Sequence, residues 1–505
     1  METDEDMRRD LAAIDEVIER GRFKPDWESL QQHRTPRWFE EAKFGIFIHW
    51  GVYSVPAFGS EWYSRNMHVQ GSPEFEHHVK TYGPQKDFGY KDFIPMFKAE
   101  RFDPDAWADL FVDAGARYVV PVAEHHDGFQ MYASRLSHWN AAEMGPKRDV
   151  LGELTEAFHR RGLVDGASSH RVEHWFFMGH GKDFDSDIHE PLKRGDFYWP
   201  AMPEPDHWDQ HSKPEPTHEY LDDWLLRCCE IVDRYRPKVL YFDWWILHEA
   251  VQPYLRRFVA YYYDRADEWG EEVTVCYKQD SMMFGTAVPD VERGQLAEAK
   301  PYHWQTDTAI ALNSWGYTEN NRYRPAGEIL QDMVDIISKN GNLLLNVGPK
   351  PDGTIGDEDR AVLTAIGGWL KANGEAIYGS KPWKRFGEGP TQIVEGQFTD
   401  GTKKGFTSRD VRYTVNGGNL YAIVMRPSDD GVYRFTRLRK GDAAHNADFH
   451  GFISRIDLLG GPTDGEGDGK GKGLEWTRDE HALEVHAPAV PGSGDSPITF
   501  RIVIG

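Results

Sequence analysis

The sequence contains no long apolar run. None of its 505 residues lies in a stretch approaching the roughly 20 apolar residues that cross a bilayer. Residues 1–21 are acidic and amphipathic and lack the apolar segment of a signal peptide. We therefore expect a cytoplasmic protein with no membrane partner.

Cysteine is scarce, with three residues in the chain. Cys228 and Cys229 are adjacent within a helical pattern, and Cys276 is the third. Adjacent cysteines in a helix are poorly placed for a disulfide framework, so we expect none.

Positively charged residues are also fewer than negatively charged ones. The 58 lysine and arginine residues face 82 aspartate and glutamate residues, which gives a net charge of −24. Nucleic acids and anionic membranes are polyanions, and a chain of this charge would repel them. The composition therefore argues against both as partners.

Aromatic residues, by contrast, are abundant, at 13% of the chain with 18 tryptophans. Several lie where an apolar, strand-like run ends in polar residues, which is where α/β enzymes keep their binding sites. Aromatic faces beside carboxylates suit a sugar, which is polar at its edges and apolar on its ring face. The sequence therefore predicts an enzyme, a glycosidase. The three strand ends carry His49 with Glu61 and Trp62, His125 with His126, and Asp243 with Trp244 and Trp245.

Strand-like and helical segments alternate between residues 36 and 379. Repetition over this length favours a (β/α)8-like barrel of the α/β class over an open sheet. The pattern does not identify all eight strands, so the barrel could be irregular. Helical periodicity occurs in residues 103–115, 149–162, 221–235, 254–269, 327–340 and 356–378.

The character of the sequence changes near residue 381. Short alternating segments at residues 411–415, 420–425, 483–486 and 498–504 are separated by glycine-rich turns, a pattern typical of an antiparallel β-sandwich. Residues 460–473 are charged and of low complexity, and we expect a loop there without a function. The predicted organisation is an N-terminal helical extension (1–35), a catalytic barrel (36–380) and a C-terminal sandwich (381–505).

Six sequence motifs occur one after another along the chain. They read WFEEAKFGIFIHWGVYSVP, AEHHDGF, GPKRDVLGEL, RPKVLYFD, NSWGY and LLLNVGPKPDG, and they extend over residues 38–353. This ordered set resembles the α-L-fucosidases of glycoside hydrolase family 29. The resemblance implies a barrel followed by a sandwich, no cofactor or metal, and a retaining exo-hydrolase whose substrate is a fucosylated oligosaccharide or glycoconjugate.

The resemblance also implies roles for individual residues. Asp243 matches the family's nucleophile, and it follows a strand with no polar interruption, where an idle carboxylate would be expensive to bury. A helix cap or an ion pair with an arginine is the alternative for this aspartate. We favour Trp245 over Trp244 in the pocket, because side chains alternate faces along an extended chain. The residues matching the family's sugar-binding positions are His49, Glu61, Trp62, His125, His126 and Arg293.

The general acid is where the sequence departs from the family. Many members have a glutamate where this chain has Gln305, and an amide cannot donate the proton. Glu292 is the best remaining candidate, provided that burial or a neighbouring carboxylate keeps it protonated. Glu61 and Glu173 are its rivals, and a surface ion pair is the alternative for Glu292 itself.

Two other functions are compatible with single features. His170, Glu173 and His174 fit the H-x-x-E-H pattern of one class of zinc peptidase, but that pattern needs a helix and here follows a strand-like segment. We expect His170 to lie in the sugar pocket instead. A non-catalytic glycan-binding protein is suggested by Gln305 alone.

Overall fold

The computed structural model describes residues 4–400, 405–441, 447–461, 473–489 and 494–505. Eight parallel strands form a closed barrel in sequence order, and β8 pairs with β1 to close it. The eight strands are β1 (Phe44–Ile48), β2 (Tyr118–Glu124), β3 (Val164–Ser169), β4 (Val239–Phe242), β5 (Thr274–Lys278), β6 (Val288–Glu292), β7 (Trp304–Ala309) and β8 (Gly341–Val347).

The barrel strands are buried on both faces, which explains their composition. Every residue of β1, β2, β4 and β8 is buried, and apart from Glu124, Asn342 and Asn346 these strands are apolar or glycine. The strands β6 and β7 differ, because they place carboxylates and amides inside the barrel. Polar side chains interrupt the apolar signal of a parallel strand, and for this reason the sequence did not reveal these two.

Helices surround the barrel and begin at recognisable caps. The Asp103 side chain accepts a hydrogen bond from the amide of Ala106, and Thr217 caps a later helix in the same way. The helices are α1 (Asp4–Arg20), α2 (Trp27–Leu30), α3 (Arg37–Ala42), α4 (Tyr63–Asn66), α5 (Pro73–Tyr82), α6 (Pro104–Asp113), α7 (Val150–Arg160), α8 (His174–Phe177), α9 (His218–Tyr235), α10 (Gln252–Trp269), α11 (Ala326–Ser338) and α12 (Asp357–Asn373).

The N-terminal helix α1 belongs to this helical layer. Ile14 and Val17 are buried in the same apolar cluster as residues of α9 and α10, and Arg20 pairs with Glu268 at 2.6 Å. Within the described residues, none of the helices combines the length and the apolar character that crossing a bilayer requires.

A sandwich of two antiparallel sheets follows the barrel. Its strands are β9 (Lys381–Glu388), β10 (Val411–Asn416), β11 (Asn419–Val424), β12 (Val432–Phe435), β13 (Ile453–Leu458), β14 (Glu475–Arg478), β15 (Leu483–His486) and β16 (Ile498–Ile504). One sheet has the order β13-β16-β11-β10-β9 and the other the order β12-β15-β14. Arg412 on β10 donates to Asp335 on α11 at 2.5 Å, so a buried ion pair joins sandwich to barrel.

The predicted fold class is confirmed, and the barrel is closed in strict strand order. Strand β9 begins at Lys381, the first residue of the predicted C-terminal segment. The four segments predicted as sandwich strands correspond to β10, β11, β15 and β16. Most of the predicted loop at 460–473 lies outside the described residues.

Candidate active site

A cavity of about 250 Å³ opens at the carboxyl ends of the barrel strands. Pockets for drug-sized ligands span roughly 300–1,000 Å³, so this one suits a single sugar ring. Its walls are formed by Phe47, His49, Glu61, Trp62, His125, His126, His170, Asp243, Trp244, Lys278, Glu292, Asp307, Trp315 and Phe398.

Five of the predicted residues reach the cavity because each follows a barrel strand directly. His49 follows β1, His125 and His126 follow β2, His170 follows β3 and Asp243 follows β4. The carboxyl ends of parallel strands meet at one rim of a barrel, so residues distant in sequence converge there.

Asp243 is buried and surrounded by donors. Its Oδ1 accepts from the amide of Trp244 at 2.8 Å and lies 3.3 Å from Lys278 Nζ. Its Oδ2 lies 3.4 Å from both His126 Nε2 and His170 Nδ1. Burial alone would raise the pKa of Asp243, but Lys278 and the two imidazoles hold it well below its usual value. Asp243 is therefore an ionised carboxylate.

Lys278, at the end of β5, connects three carboxylates. Its Nζ lies 2.5 Å from Glu292 Oε2, 3.3 Å from Asp243 Oδ1 and 3.6 Å from Asp307 Oδ2. These carboxylates raise the pKa of Lys278 well above its usual value against the effect of burial. The lysine is consequently a fixed positive charge between Asp243 and Glu292.

The pKa of Glu292 is raised, whereas that of Asp243 is lowered. Burial, together with the charges of Asp307 and Asp243, outweighs Lys278 and raises the pKa of Glu292 to about 7. Two neighbouring carboxyl groups with separated pKa values are the usual arrangement of an acid and a nucleophile.

His126 is held from behind by a buried carboxylate. Its Nδ1 lies 3.2 Å from Glu173 Oε2, while its Nε2 faces Asp243. Burial opposes the charge, yet Glu173 and Asp243 raise the pKa of His126 to about 9. Glu173 does not line the cavity, so it has no direct access to a bound sugar.

The other three imidazoles are neutral. Burial lowers the pKa of His49, His125 and His170. His49 Nδ1 donates to Asn346 Oδ1 at 2.7 Å, which leaves its Nε2 as an acceptor. Neutral imidazoles can both donate to and accept from sugar hydroxyls.

Glu61 lines the cavity, but its carboxylate is hydrogen-bonded to a neighbouring loop. Its Oε2 accepts from the amides of Trp315 (2.9 Å) and Gly316 (3.3 Å) and from the Ser314 hydroxyl (3.1 Å). These bonds fix the loop that places the Trp315 ring in the cavity wall. Glu61 therefore fits a positioning role better than that of proton donor.

The positions of the tryptophans around the cavity correct the prediction that Trp245 lines it. Trp244 lines the cavity, whereas Trp245 is fully buried, with its ring centroid 4.9 Å from that of Trp175. The alternation on which the choice of Trp245 depended fails because the chain enters a 3-10 turn at Trp244. Trp208 stacks between Trp62 and Trp244, at 5.7 Å and 5.9 Å between ring centroids.

Arg293 also differs from expectation. Its guanidinium lies 4.5 Å from the ring centroid of Trp315 and donates to the carbonyl oxygens of Ala311 (3.3 Å) and Ser314 (3.4 Å). It is not part of the cavity wall. Arg293 packs against Trp315, and the basic side chain that contacts the cavity carboxylates is Lys278.

Gln305 lies deeper in the barrel and outside the cavity wall. Its Nε2 donates to Asp290 Oδ2 and its Oε1 accepts from the Tyr118 hydroxyl, both at 2.7 Å. The Gln305 amide therefore hydrogen-bonds with side chains inside the barrel. Since this position is outside the cavity wall, having glutamine there instead of glutamate does not deprive the cavity of a carboxyl group.

The zinc-peptidase pattern is not assembled. The described structure breaks residues 170–177 into a 3-10 turn and a four-residue helix, and His174 Nδ1 donates to the His126 carbonyl oxygen at 2.7 Å. Among the described residues, the groups able to hold a metal ion are His49 with His125 and His170, and His126 with His170 and Asp243. Both lie inside the sugar-sized cavity.

Sequence reasoning missed Phe47, Lys278, Asp307, Trp315 and Phe398 as cavity residues. Lys278 carried the same signal as Asp243, a charged residue at the end of an apolar strand. Asp307 lies on β7, which was not recognised as a strand. Phe398 had no local signal, because it comes from the C-terminal part of the chain.

Comparisons with known proteins agree with this geometry. The family model described as Alpha-L-fucosidase matches residues 11–375. A tissue alpha-L-fucosidase of Rattus norvegicus is 32% identical over 502 residues, covering 95% of this chain and 90% of the relative. The plasma alpha-L-fucosidase of Homo sapiens is 34% identical over 378 residues, covering 72% and 73%. The crystal structure of Thermotoga maritima alpha-fucosidase in complex with fucose superimposes with a TM-score of 0.70 at 30% identity, covering 95% of this chain and all of that one.

Proposed function

Because this chain belongs to the α-L-fucosidase family, glycoside hydrolase family 29, we propose that Asp243 and Glu292 divide its reaction as nucleophile and acid/base. The protein is a glycoside hydrolase of fucosylated glycans, and the assignment of roles to its residues is the proposal. One observation carries it: both carboxylates contact Lys278 Nζ, at 3.3 Å and 2.5 Å. The two oxygens are thus at most about 5.8 Å apart, a bound that lies below the roughly 6.5–9.5 Å of inverting enzymes and includes the roughly 5–5.5 Å of retaining enzymes.

In the first step, ionised Asp243 attacks the anomeric carbon of the bound fucose. Protonated Glu292 donates its proton to the glycosidic oxygen, and the leaving group departs as an alcohol. The product of this step is a covalent ester between fucose and Asp243. The low pKa of Asp243 and the raised pKa of Glu292 support these starting states.

Formation of the ester prepares the second step. The charge of Asp243 is one of the causes that raise the pKa of Glu292, and this charge disappears when the ester forms. The pKa of Glu292 then falls under the influence of Lys278, and Glu292 becomes a base. It accepts a proton from water, which attacks the anomeric carbon and releases fucose with its configuration retained.

The remaining wall residues suit recognition of the sugar. His49, His125 and His170 are neutral, so they can exchange hydrogen bonds with hydroxyl groups, and Trp315 offers an apolar face. His126 faces the nucleophile and can donate to a hydroxyl beside it. The cytoplasmic location expected from the sequence stays a prediction.

A combined product and labelling experiment tests the assignment. Hydrolysis of an aryl α-L-fucoside, followed by proton NMR from the first turnovers, should show α-fucose before mutarotation. A 2-fluoro-fucosyl fluoride should add one fluorofucosyl group to the peptide containing Asp243, detected by mass spectrometry. β-Fucose as first product, or a label on another residue, would contradict the proposal.

A further inference from the structure

A segment of the C-terminal part of the chain reaches into the catalytic cavity. Residues 389–400 follow β9, the first strand of the sandwich, and Phe398 lines the cavity together with Glu292 and Asp243. The barrel alone therefore does not complete the wall of the site.

Hydrogen bonds fasten this segment to the strand that carries Glu292. The amide of Phe398 donates to the Glu292 carbonyl oxygen at 2.8 Å, and the amide of Glu292 donates to Gln397 Oε1 at 2.5 Å. The amide of Asp400 donates to the Arg293 carbonyl oxygen at 2.9 Å. These bonds hold Phe398 in register with Glu292.

The ring of Phe398 is presented to solvent at the mouth of the cavity. The side chain is 63% exposed, and the backbone has a φ of +55°, in the left-handed region that non-glycine residues rarely adopt. A single exposed apolar residue is common on a protein surface. A strained, anchored one in the wall of a catalytic site is a stronger indication of function.

The position of Glu292 identifies what meets this ring. A general acid must lie within hydrogen-bonding distance of the leaving oxygen, so the leaving group of the substrate occupies the space next to Glu292. Phe398 is bound to the backbone of Glu292 itself. The proposed function, in contrast, assigns the fucose ring to the side of the imidazoles.

We propose that Phe398 forms the subsite for the leaving group, stacking its ring against the flat face of the sugar or aryl group that is attached to fucose. The inference rests on the proposed roles of Glu292 and Asp243. An aromatic ring matches a ligand whose ring face is apolar, and it adds no charge or directional bond to the site. Phe398 would thus determine which leaving groups bind, without affecting recognition of fucose.

Three substrates test this subsite in the full-length protein. α-L-Fucosyl fluoride has a one-atom leaving group, an activated aryl α-L-fucoside has a ring but needs no proton, and a fucosyl disaccharide has a sugar ring and needs the proton. For Phe398→Ala we expect kcat/KM to fall about tenfold for the aryl fucoside and the disaccharide. It should stay within twofold of wild type for the fluoride, with the inhibition constant of free fucose unchanged.

Matched variants separate stacking from other effects. Phe398→Trp keeps an aromatic face and should retain most activity on all three substrates. Val394→Ala, which removes another exposed apolar side chain of the same segment outside the cavity wall, should change none of them.

Each other outcome overturns the inference. An equal loss on the fluoride would mean that Phe398 supports the whole site, and a loss confined to the disaccharide would mean that it acts only by positioning Glu292. No loss on any substrate would place the leaving group elsewhere. Failure of the wild-type protein to hydrolyse any of the three would instead contradict the proposed function.

Discussion

Glu173 lies directly behind His126, with its Oε2 3.2 Å from Nδ1 of the imidazole, and both side chains are buried. The opposite nitrogen of the ring faces Asp243. His126 Nδ1 donates to the His170 carbonyl oxygen at 3.0 Å, so Glu173 acts on the ring through its charge, which favours the charged form of the imidazole. The pair therefore links a residue outside the cavity to the nucleophile inside it.

Replacement of Glu173 by glutamine should lower the pKa of His126 from about 9, because the Glu173 charge is one of its causes. Burial raises the pKa of Glu173 to about 8, so the difference from wild type should be clearest above pH 8. NMR titration of labelled histidine measures the pKa of His126 in both proteins. We also expect kcat of the variant to fall about tenfold. Glutamine has nearly the same shape, and an unchanged titration of His126 would contradict this role.

Replacement of Asp243 by alanine should reduce kcat by roughly 10³-fold or more, since the covalent step loses its proposed nucleophile. Added azide should restore part of the turnover and give β-fucosyl azide, because a small anion fits the vacated space. Asp280→Ala, which removes an exposed carboxylate two residues after Lys278, is the control and should behave as wild type. An Asp243→Ala variant with substantial unassisted activity would eliminate Asp243 as nucleophile.

Replacement of Glu292 by alanine should affect substrates according to their leaving groups. Natural oligosaccharides need protonation and should lose about 10²–10⁴-fold in kcat/KM, whereas an activated aryl fucoside should lose far less. Azide should give α-fucosyl azide, because it attacks the ester at Asp243 from the opposite face. The basic limb of the pH profile, expected near pH 7 from the pKa of Glu292, should flatten.

Equal losses on both substrate types would move the proton donor to another residue. Glu61→Gln and Glu173→Gln would then be measured with the same two substrates. We expect neither variant to show leaving-group dependence, because Glu61 holds the Trp315 loop and Glu173 lies behind His126.

Replacement of Lys278 by methionine should move the whole pH profile of kcat/KM to higher pH. Lys278 lowers the pKa of both Asp243 and Glu292, so its loss raises both values. The acid limb follows ionisation of Asp243 and the basic limb follows deprotonation of Glu292, and both should shift upward. Lys278→Arg keeps the charge and should leave the limbs near their wild-type positions. Limbs that do not move in the methionine variant would contradict this assignment.

Zinc or nickel ions should inhibit the enzyme in competition with fucose. The ligand atoms of His49, His125 and His170 lie within 4.8 Å of one another, and their lowered pKa values keep them free to bind metal at neutral pH. A chelator should reverse the inhibition. Calcium prefers oxygen ligands and should have no effect. Non-competitive inhibition, or inhibition that is unchanged in His49→Gln, would contradict metal binding by these three histidines.

The sequence predicted the part of the site that depends on strand ends. His49, His125, His126, His170 and Asp243 follow apolar runs, and in a parallel barrel this is enough to place them on one rim. The choice between Trp244 and Trp245 could not be made in this way, because alternation ends where the chain turns.

Other features of the fold and of the site could not be predicted from local sequence patterns. The polar strands β6 and β7 are identified only by the barrel that they complete, since their inward side chains bind one another. Phe398 depends on a contact between segments separated by about a hundred residues, which no periodicity encodes.

The bonds between residues 397–400 and the end of β6 have an evolutionary consequence. The groups proposed to bind fucose come from the barrel, whereas the ring proposed to meet the leaving group comes from the C-terminal segment. Exchange or remodelling of that segment would then diversify linkage preference while the monosaccharide specificity is inherited unchanged.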